Sequence, residues 1–326
     1  MNNSFTQKID PSHPAQTTRP DNITPRSKPL PDITTNSQAN LNYTIDQVGM
    51  SAMQMIARVN TKDNQTLNLP AKVDVYVNLN DTHSKGIHMS RLYAVMYQFL
   101  KNETLNPALL ENVTDQLIQS QKGISSSAYV TIKFDYPIEH QSLLSQTPGL
   151  RHYPITIYLE KHQNKSFLFK LGWTLTYSSA CPCSTALSEQ FIKDNLNQTL
   201  VTNPQQPLTL DFLTKQNIIS AIPHSQRSYA DILLSFDTIP KDFSLEEFIL
   251  SSEAIIKTGV QTSVKRSDEQ EFARINAENL MFCEDAVRIL KDFYLKQTMI
   301  KHFSIKVSHH ESLHPHNAVA IVSQQT

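Results

Sequence analysis

Cys181-Pro182-Cys183 holds two of the three cysteines in a chain of 326 residues; Cys283 is the third. A bridge between positions i and i+2 is strained and easily reduced, and the proline stiffens it further. A thiolate ligand suits the spacing better: soft sulfur takes zinc readily, and imidazole takes zinc, iron or manganese. Three cysteines exclude a Cys₄ site from one chain. Any metal here would need a mixed Cys/His/carboxylate set, which leaves a position open for catalytic water. The thiols alone leave burial as small hydrophobes open as well.

Histidine is concentrated near the end of the chain. Five of the twelve, His302, His309, His310, His314 and His316, lie in the last 25 residues, within or near "SHHESLHPHNA". If His314 and His316 enter a strand, the two-residue period points both to one face; a histidine-rich surface loop is the alternative. Elsewhere, "IPHSQRS" sets His224 beside Arg227, "VKRSDEQEFA" carries Glu269, and "MFCEDAVRIL" places Glu284 and Asp285 in an apolar helical pattern. "HSKGIHMSRL" brings Lys85, His88 and Arg91 to a helix start, where free backbone N–H groups favour phosphate. Neither the Walker nor the Rossmann glycine pattern occurs.

The elements that must carry these residues follow from periodicity. Residues 1–40 contain six prolines and no glycine, and read as a disordered arm. Ala71, Val73, Val75, Val77 and Leu79 alternate with polar neighbours as a half-buried strand, with "VGMSAMQMIARV" as its hairpin partner. Met89, Leu92 and Met96, then Leu110, Val113 and Leu117, recur at helical spacing. Alternation returns over residues 128–136, followed by the strands "YPITIYLE" and "SFLFKLGWTLTY", which run into the cysteines. Residues 185–222 read as a loop-rich insertion. Beyond it come the strand "RSYADILLSF" and a helix opened by the capping box of Ser244 and Glu247 and stopped by Gly259. A long helix over 277–296 and two last strands complete the chain. Adjacent strands with segregated helices argue for α+β, and the two rounds of strands and helices hint at tandem modules, about 41–150 and 151–326.

The composition bounds the partners. A net charge of −1 gives no single-sign field to steer the chain towards nucleic acid or a membrane. No charged start precedes an apolar run, and no stretch reaches the ~20 apolar residues of a membrane span. An odd, small number of thiols fits a reducing compartment, so a cytoplasmic location is expected.

"KGIHMSR", "CPCS", "PHSQRS", "KRSDE", "CEDAVR" and "ESLHPHNA", in this order, resemble GTP cyclohydrolase IB over roughly residues 48–322. The resemblance implies a tunnelling fold of two tandem modules with helices packed on one face of antiparallel sheet, a homotetramer, and a divalent metal (Mn, Zn or Fe). It implies conversion of GTP and water to 7,8-dihydroneopterin triphosphate and formate, the first step towards tetrahydrofolate. Carried over position by position, the metal neighbourhood falls on Cys181, His224, Glu269 and His314. The carboxylate that reads guanine falls on Glu284, since it can accept from both N1–H and the exocyclic amine. His316 and His224 are the expected proton shuttles, Glu311 an orienting carboxylate, Cys183 and Ser184 substrate neighbours, and Lys85, His88, Arg91 and Arg227 holders of the triphosphate.

Two departures accompany the resemblance. The connection before His224 is about thirty residues longer than in the family, and residues 138–152 look additional. Both read as surface-loop growth, which costs little entropy. In "KRSDE", Ser267 also stands where the family usually has proline. Two other readings stay open: a non-catalytic metal-binding protein, and a tunnelling-fold enzyme using a cysteine nucleophile on a pterin or deazapurine.

Overall fold

A computed structural model describes residues 38–121, 123–215, 221–236 and 244–325. The expected N-terminal arm lies almost wholly outside them. The described residues form one eight-stranded sheet in chain order, every neighbouring pair antiparallel. The strands are β1 (Ile45–Asn60), β2 (Thr66–Leu79), β3 (Ser127–Gln141), β4 (Pro148–His162), β5 (Leu168–Ala180), β6 (Ser225–Phe236), β7 (Ile300–His309) and β8 (Ala318–Gln325). The helices are α1 (Met89–Asn102), α2 (Pro107–Ser120), α3 (Pro182–Thr202), α4 (Leu210–Lys215), α5 (Leu245–Ile256), α6 (Arg266–Glu278) and α7 (Cys283–Leu295). The architecture is α+β, as the pattern of adjacent strands and paired helices predicts.

Alternation explains the packing. Val73, Val75 and Val77 of β2 meet Val130 and Ile132 of β3 on the covered face, all with no solvent exposure. Each such side chain contributes roughly 1.5–3 kcal/mol on burial. Leu92, Met96 and Leu100 of α1 and Leu110, Val113 and Leu117 of α2 close one half of this core. Ile249 of α5, with Ala286, Leu290 and Tyr294 of α7, closes the other.

Several sequence expectations need correction. The helix expected over 277–296 starts later, as α7, and its first two residues end α6 instead. Asn279 caps α6, and α7 starts at Cys283 because Asp285 accepts the Phe282 N–H at 3.0 Å. The loop-rich reading of 185–222 fails over its first half, where Pro182 opens the 21-residue α3. Its apolar residues share no stripe, Leu187 and Phe191 are exposed, and only Ser188 is buried, so periodicity could not reveal it. Residues 138–152 are not surface loop either. They extend β3 and β4 into a paired ribbon, and a boundary near residue 150 would fall inside β4.

Gly259 does not stop α5. Lys257, with a φ of 69°, makes the left-handed turn. Gly259 allows close approach instead: a Cβ there would collide with the Glu253 carboxylate and crowd the Arg151 guanidinium. Finally, His314 and His316 do not enter a strand, because β8 begins at Ala318.

Candidate functional site

The C-terminal ends of β5 and β7, the N-terminal end of β6 and the N-termini of α3 and α7 meet at one end of the sheet. Ala180 pairs with Ser225, Ser228 with His309, and the Met281 N–H donates to the Ala180 carbonyl at 3.2 Å. This corner gathers many of the residues singled out above.

Cys181 holds extended backbone as the N-cap of α3, with a half-buried side chain. Its N–H donates to the His224 carbonyl at 3.2 Å, and the His224 N–H donates to Ser184 Oγ at 3.1 Å. The first turn of α3 and the start of β6 are thereby bound together. Cys183 is exposed on that turn. His224 Nδ1 lies 3.0 Å from Gln226 Oε1 and 3.8 Å from Glu311 Oε2.

Behind His224 a buried polar chain runs inward. Gln226 Nε2 donates to Ser179 Oγ at 2.8 Å; Ser179 Oγ lies 2.8 Å from Ser228 Oγ and 3.2 Å from His309 Nδ1; His309 Nε2 lies 2.9 Å from Tyr177 Oη. Burial drives the His309 pKa down to about 4, against the smaller opposing pull of Glu284 and Asp285, and also pushes the Tyr177 hydroxyl up. Both are neutral at pH 7.

Glu284 occupies the first turn of α7, exposed, and accepts from Cys283 Sγ at 3.2 Å. Its own backbone N–H, then that thiol, hold its pKa below the usual value, so it stands as a carboxylate facing outward. Burial, and next the Glu284 carboxylate, push Cys283 up to about 11, so this thiol stays protonated.

Glu269 and Arg227 line an open cavity of about 400 Å³ with Tyr177, Gln226, Val264 and Phe272. Arg227 also reaches a second cavity of about 280 Å³ walled by His152, Tyr153 and Tyr229. Glu269 is exposed at the start of α6, and its neighbour Asp268 is fully buried. The Asp268 carboxylate accepts the backbone N–H groups of Leu144 (2.7 Å), Ser145 (2.9 Å) and Lys265 (2.8 Å) and the Ser145 hydroxyl (2.5 Å). The Ser145 hydroxyl is the largest cause of its strongly lowered pKa. The β3–β4 ribbon therefore clamps the turn that aims Glu269. A second clamp joins Arg151 to Glu253 and His140, with Tyr153 bonded to both partners.

Other expected residues stand apart. His314 and His316 stack on each other in the exposed β7–β8 loop, ring centroids 4.9 Å apart. Among the described residues, no three His, Cys, Asp or Glu side chains are grouped to hold a metal ion. Cys181 and His224 are held together and their donor types suit zinc, iron or manganese, whereas Glu269 and His314 are not gathered onto them within this chain.

Lys85, His88 and Arg91 lie at the opposite end of the sheet. They follow the C-terminus of β2, and β2 and β5 run in opposite directions. β3, 15 residues long, bridges the two ends over roughly 50 Å. The Arg91 guanidinium donates to the Ser120 carbonyl at 3.0 Å, while Lys85 is exposed.

The sequence reading missed Gln226, Ser179, Ser228 and Asp268. A signal was present: Tyr177 and Ser179, then Gln226 and Ser228, continue inward-facing positions of otherwise apolar strands.

Comparisons with known proteins agree with this picture. A family profile described as type I GTP cyclohydrolase folE2 matches residues 30–320. A curated GTP cyclohydrolase FolE2 from Hydrogenovibrio crunogenus is 41% identical over 298 residues, covering 90% of this chain and 94% of the relative. One from Hahella chejuensis is 41% identical over 301 residues, covering 90% and 95%. Among solved structures, a hyper-thermostable AgUricase mutant superposes with a TM-score of 0.51 at 8% identity, covering 86% of this chain and 91% of that one. That likeness concerns the fold alone, and it agrees with an expected tunnelling-type α+β sheet. By the profile and the relatives together, the chain belongs to the type I GTP cyclohydrolase folE2 family.

Proposed function

We propose that this chain hydrolyses and rearranges GTP to 7,8-dihydroneopterin triphosphate and formate, as the IB form of the enzyme and the entry step of folate biosynthesis. The carrying observation is the family match together with the tethering of Cys181 to His224 beside an outward-facing Glu284.

Glu284 accepts from guanine N1–H and the exocyclic amine, a donor pair that adenine lacks. Arg227, between the two cavities, meets phosphate oxygens. Cys183 and Ser184, on the first turn of α3, border the substrate. His224 and His316 move protons to and from ring nitrogen and carbon, work typically worth ~10²–10⁴-fold. Glu311 orients His224. Cys181 and His224 would hold a divalent metal, and Glu269 and His314 would be further donors only once brought to them, since within this chain they are not gathered there. When bound, such an ion supplies acidified water, with a pKa lowered from ~15.7 towards ~7.

The fold is read as two tandem tunnelling modules. The chain is read as self-associating to a homotetramer in the cytoplasm, where free thiols persist. No helix of the described residues is long and apolar enough to cross a membrane. If Lys85 meets the triphosphate at a site built on Cys181, its place at the other end of the sheet requires a second copy to supply it.

The test is direct. The purified chain is stripped with chelator, supplied with GTP with and without Mn²⁺ or Zn²⁺, and assayed for a fluorescent pterin after oxidation. Metal-dependent pterin is expected; its absence under every metal overturns the proposal.

A further inference from the structure

We propose that Gln226 is a positioning residue that fixes His224 as its Nδ1–H tautomer and so turns the Nε2 lone pair towards the reacting groups. This rests on the reading that His224 works in the site, and goes beyond it by naming what sets the ring's protonation and angle.

His224 Nδ1 faces Gln226 Oε1 at 3.0 Å and Glu311 Oε2 at 3.8 Å. A carboxylate never donates, and this amide oxygen cannot, so the ring nitrogen between them carries the proton. Nε2 is then the lone-pair atom, the form needed to bind a cation or accept a proton. Glu311 sits in an exposed loop beyond β7, whereas Gln226 is buried within β6, so Gln226 is the rigid partner of the two.

The amide could serve either tautomer if it were free to flip, so its own orientation must be fixed. The hydroxyls and ring nitrogens behind it can take either role, so Glu311 decides: it only accepts, and a flipped amide would leave its carboxylate facing a bare Nδ1 lone pair. Gln226 Nε2 donates to Ser179 Oγ at 2.8 Å. Ser179 Oγ is in turn held between Ser228 Oγ and His309 Nδ1, and His309 is held by Tyr177. Tyr177, Ser179, Ser228 and His309 are each 2% exposed or less. Ser179 faces Gln226, and Ser228 faces both Tyr177 and His309, across the β5–β6–β7 register. Five polar side chains thus share one face of three adjacent strands where the rest of that face is apolar. Buried polar groups are costly unless satisfied, so this chain is maintained only as a connected whole. It reaches the surface through Gln226 at His224.

The experiment uses the full chain with ¹⁵N-labelled histidine and the variants Gln226→Leu and Gln226→Glu. Three quantities are read: the His224 ring ¹⁵N shifts, Zn²⁺ affinity by competition with a chromophoric chelator, and kcat and KM for GTP. Gln226→Leu is expected to give His224 a mixture of tautomers, a ten- to hundredfold loss of Zn²⁺ affinity, and a lower kcat at little-changed KM. Gln226→Glu, which still accepts from Nδ1–H, is expected to keep the single tautomer and restore Zn²⁺ affinity towards the parent. A purely structural role for Gln226 would not be rescued in this way. Retention of a single Nδ1–H tautomer with parental Zn²⁺ affinity in Gln226→Leu overturns the proposal. If Gln226→Leu fails to fold, Ser179→Ala removes the anchor but leaves the amide, and the same unchanged readouts overturn it. His224→Ala separates the two claims: parental Zn²⁺ affinity there sinks the metal role of His224, and the tautomer readout then decides on Gln226 alone.

Discussion

Cys181 and Glu284 are expected to fail in different ways when altered. Cys181 caps α3 through its backbone and presents a half-buried thiol beside His224, so Cys181→Ala leaves the cap bonds in place and removes only the sulfur. The expected outcome is joint loss of bound metal and pterin formation, with an unfolding midpoint equal to that of the metal-stripped parent. Full metal occupancy in that variant, measured by elemental analysis, sinks the ligand assignment. Glu284 is exposed and ionised, bonded to its own N–H and the Cys283 thiol. Glu284→Gln is expected to keep metal and lose about ten- to hundredfold in kcat/KM for GTP, the worth of charge-assisted bonds to guanine. Cys181 and Glu284 were legible as candidates only through the resemblance of the motifs that carry them, because an isolated C-x-C or helix carboxylate leaves burial or plain exposure open. Gln226 and Ser179 were not, because a glutamine or serine acquires its role only from the side chain across the strand. That partner is set by a β5–β6 register closed over a connection of more than forty residues.

At the level of elements, the strands and α1 and α2 were legible because each buries one face and writes that face into its period, and α5 because its Ser244 cap is written in the sequence. The helices α3 and α6 were not. Neither has a strong apolar stripe, and α6 is anchored by one carboxylate rather than by a hydrophobic face. That anchor gives a pH prediction. Asp268 is buried and bonded to four donors across the β3–β4 turn and the α6 N-terminus, and its pKa is held far below the ordinary carboxylate value. A group with a depressed folded-state pKa stabilises the fold above its unfolded pKa, near 3.9, and the contribution is lost as pH falls below that. Asp268→Asn is therefore expected to lower the unfolding midpoint by a constant amount above about pH 5. The gap to the parent should begin to narrow below about pH 4 and keep narrowing as the pH falls towards the much lower folded-state pKa. Melting curves from pH 7 to pH 3 measure it, and a gap that widens on acidification contradicts the assignment. The same variant is expected to lower activity at pH 7, since the turn that aims Glu269 loosens.

For the whole molecule, two facts point the same way. β1 and β8 end the sheet with one neighbour each, and Ile56, Val319 and Ile321 are exposed on them, a feature that single chains cover or pair. The exposed Lys85 also lies at the opposite end of the strands from Cys181, a separation on the order of 50 Å that no side-chain motion closes. If Lys85 serves the substrate, it serves a site whose Cys181 belongs to another copy. The assembly should then show complementation. Lys85→Glu and Cys181→Ala chains are each expected to be nearly inactive alone. Unfolded together in equal amounts and refolded, they should recover about a quarter of the parental activity, the share of shared sites that take both intact residues. Lys85→Glu suits the test because the side chain is exposed and its loss should leave folding intact. No recovery, with mixed assemblies shown to have formed by mass measurement, would place Lys85 outside the active site and leave Arg227 as the phosphate partner supplied from the Cys181 side.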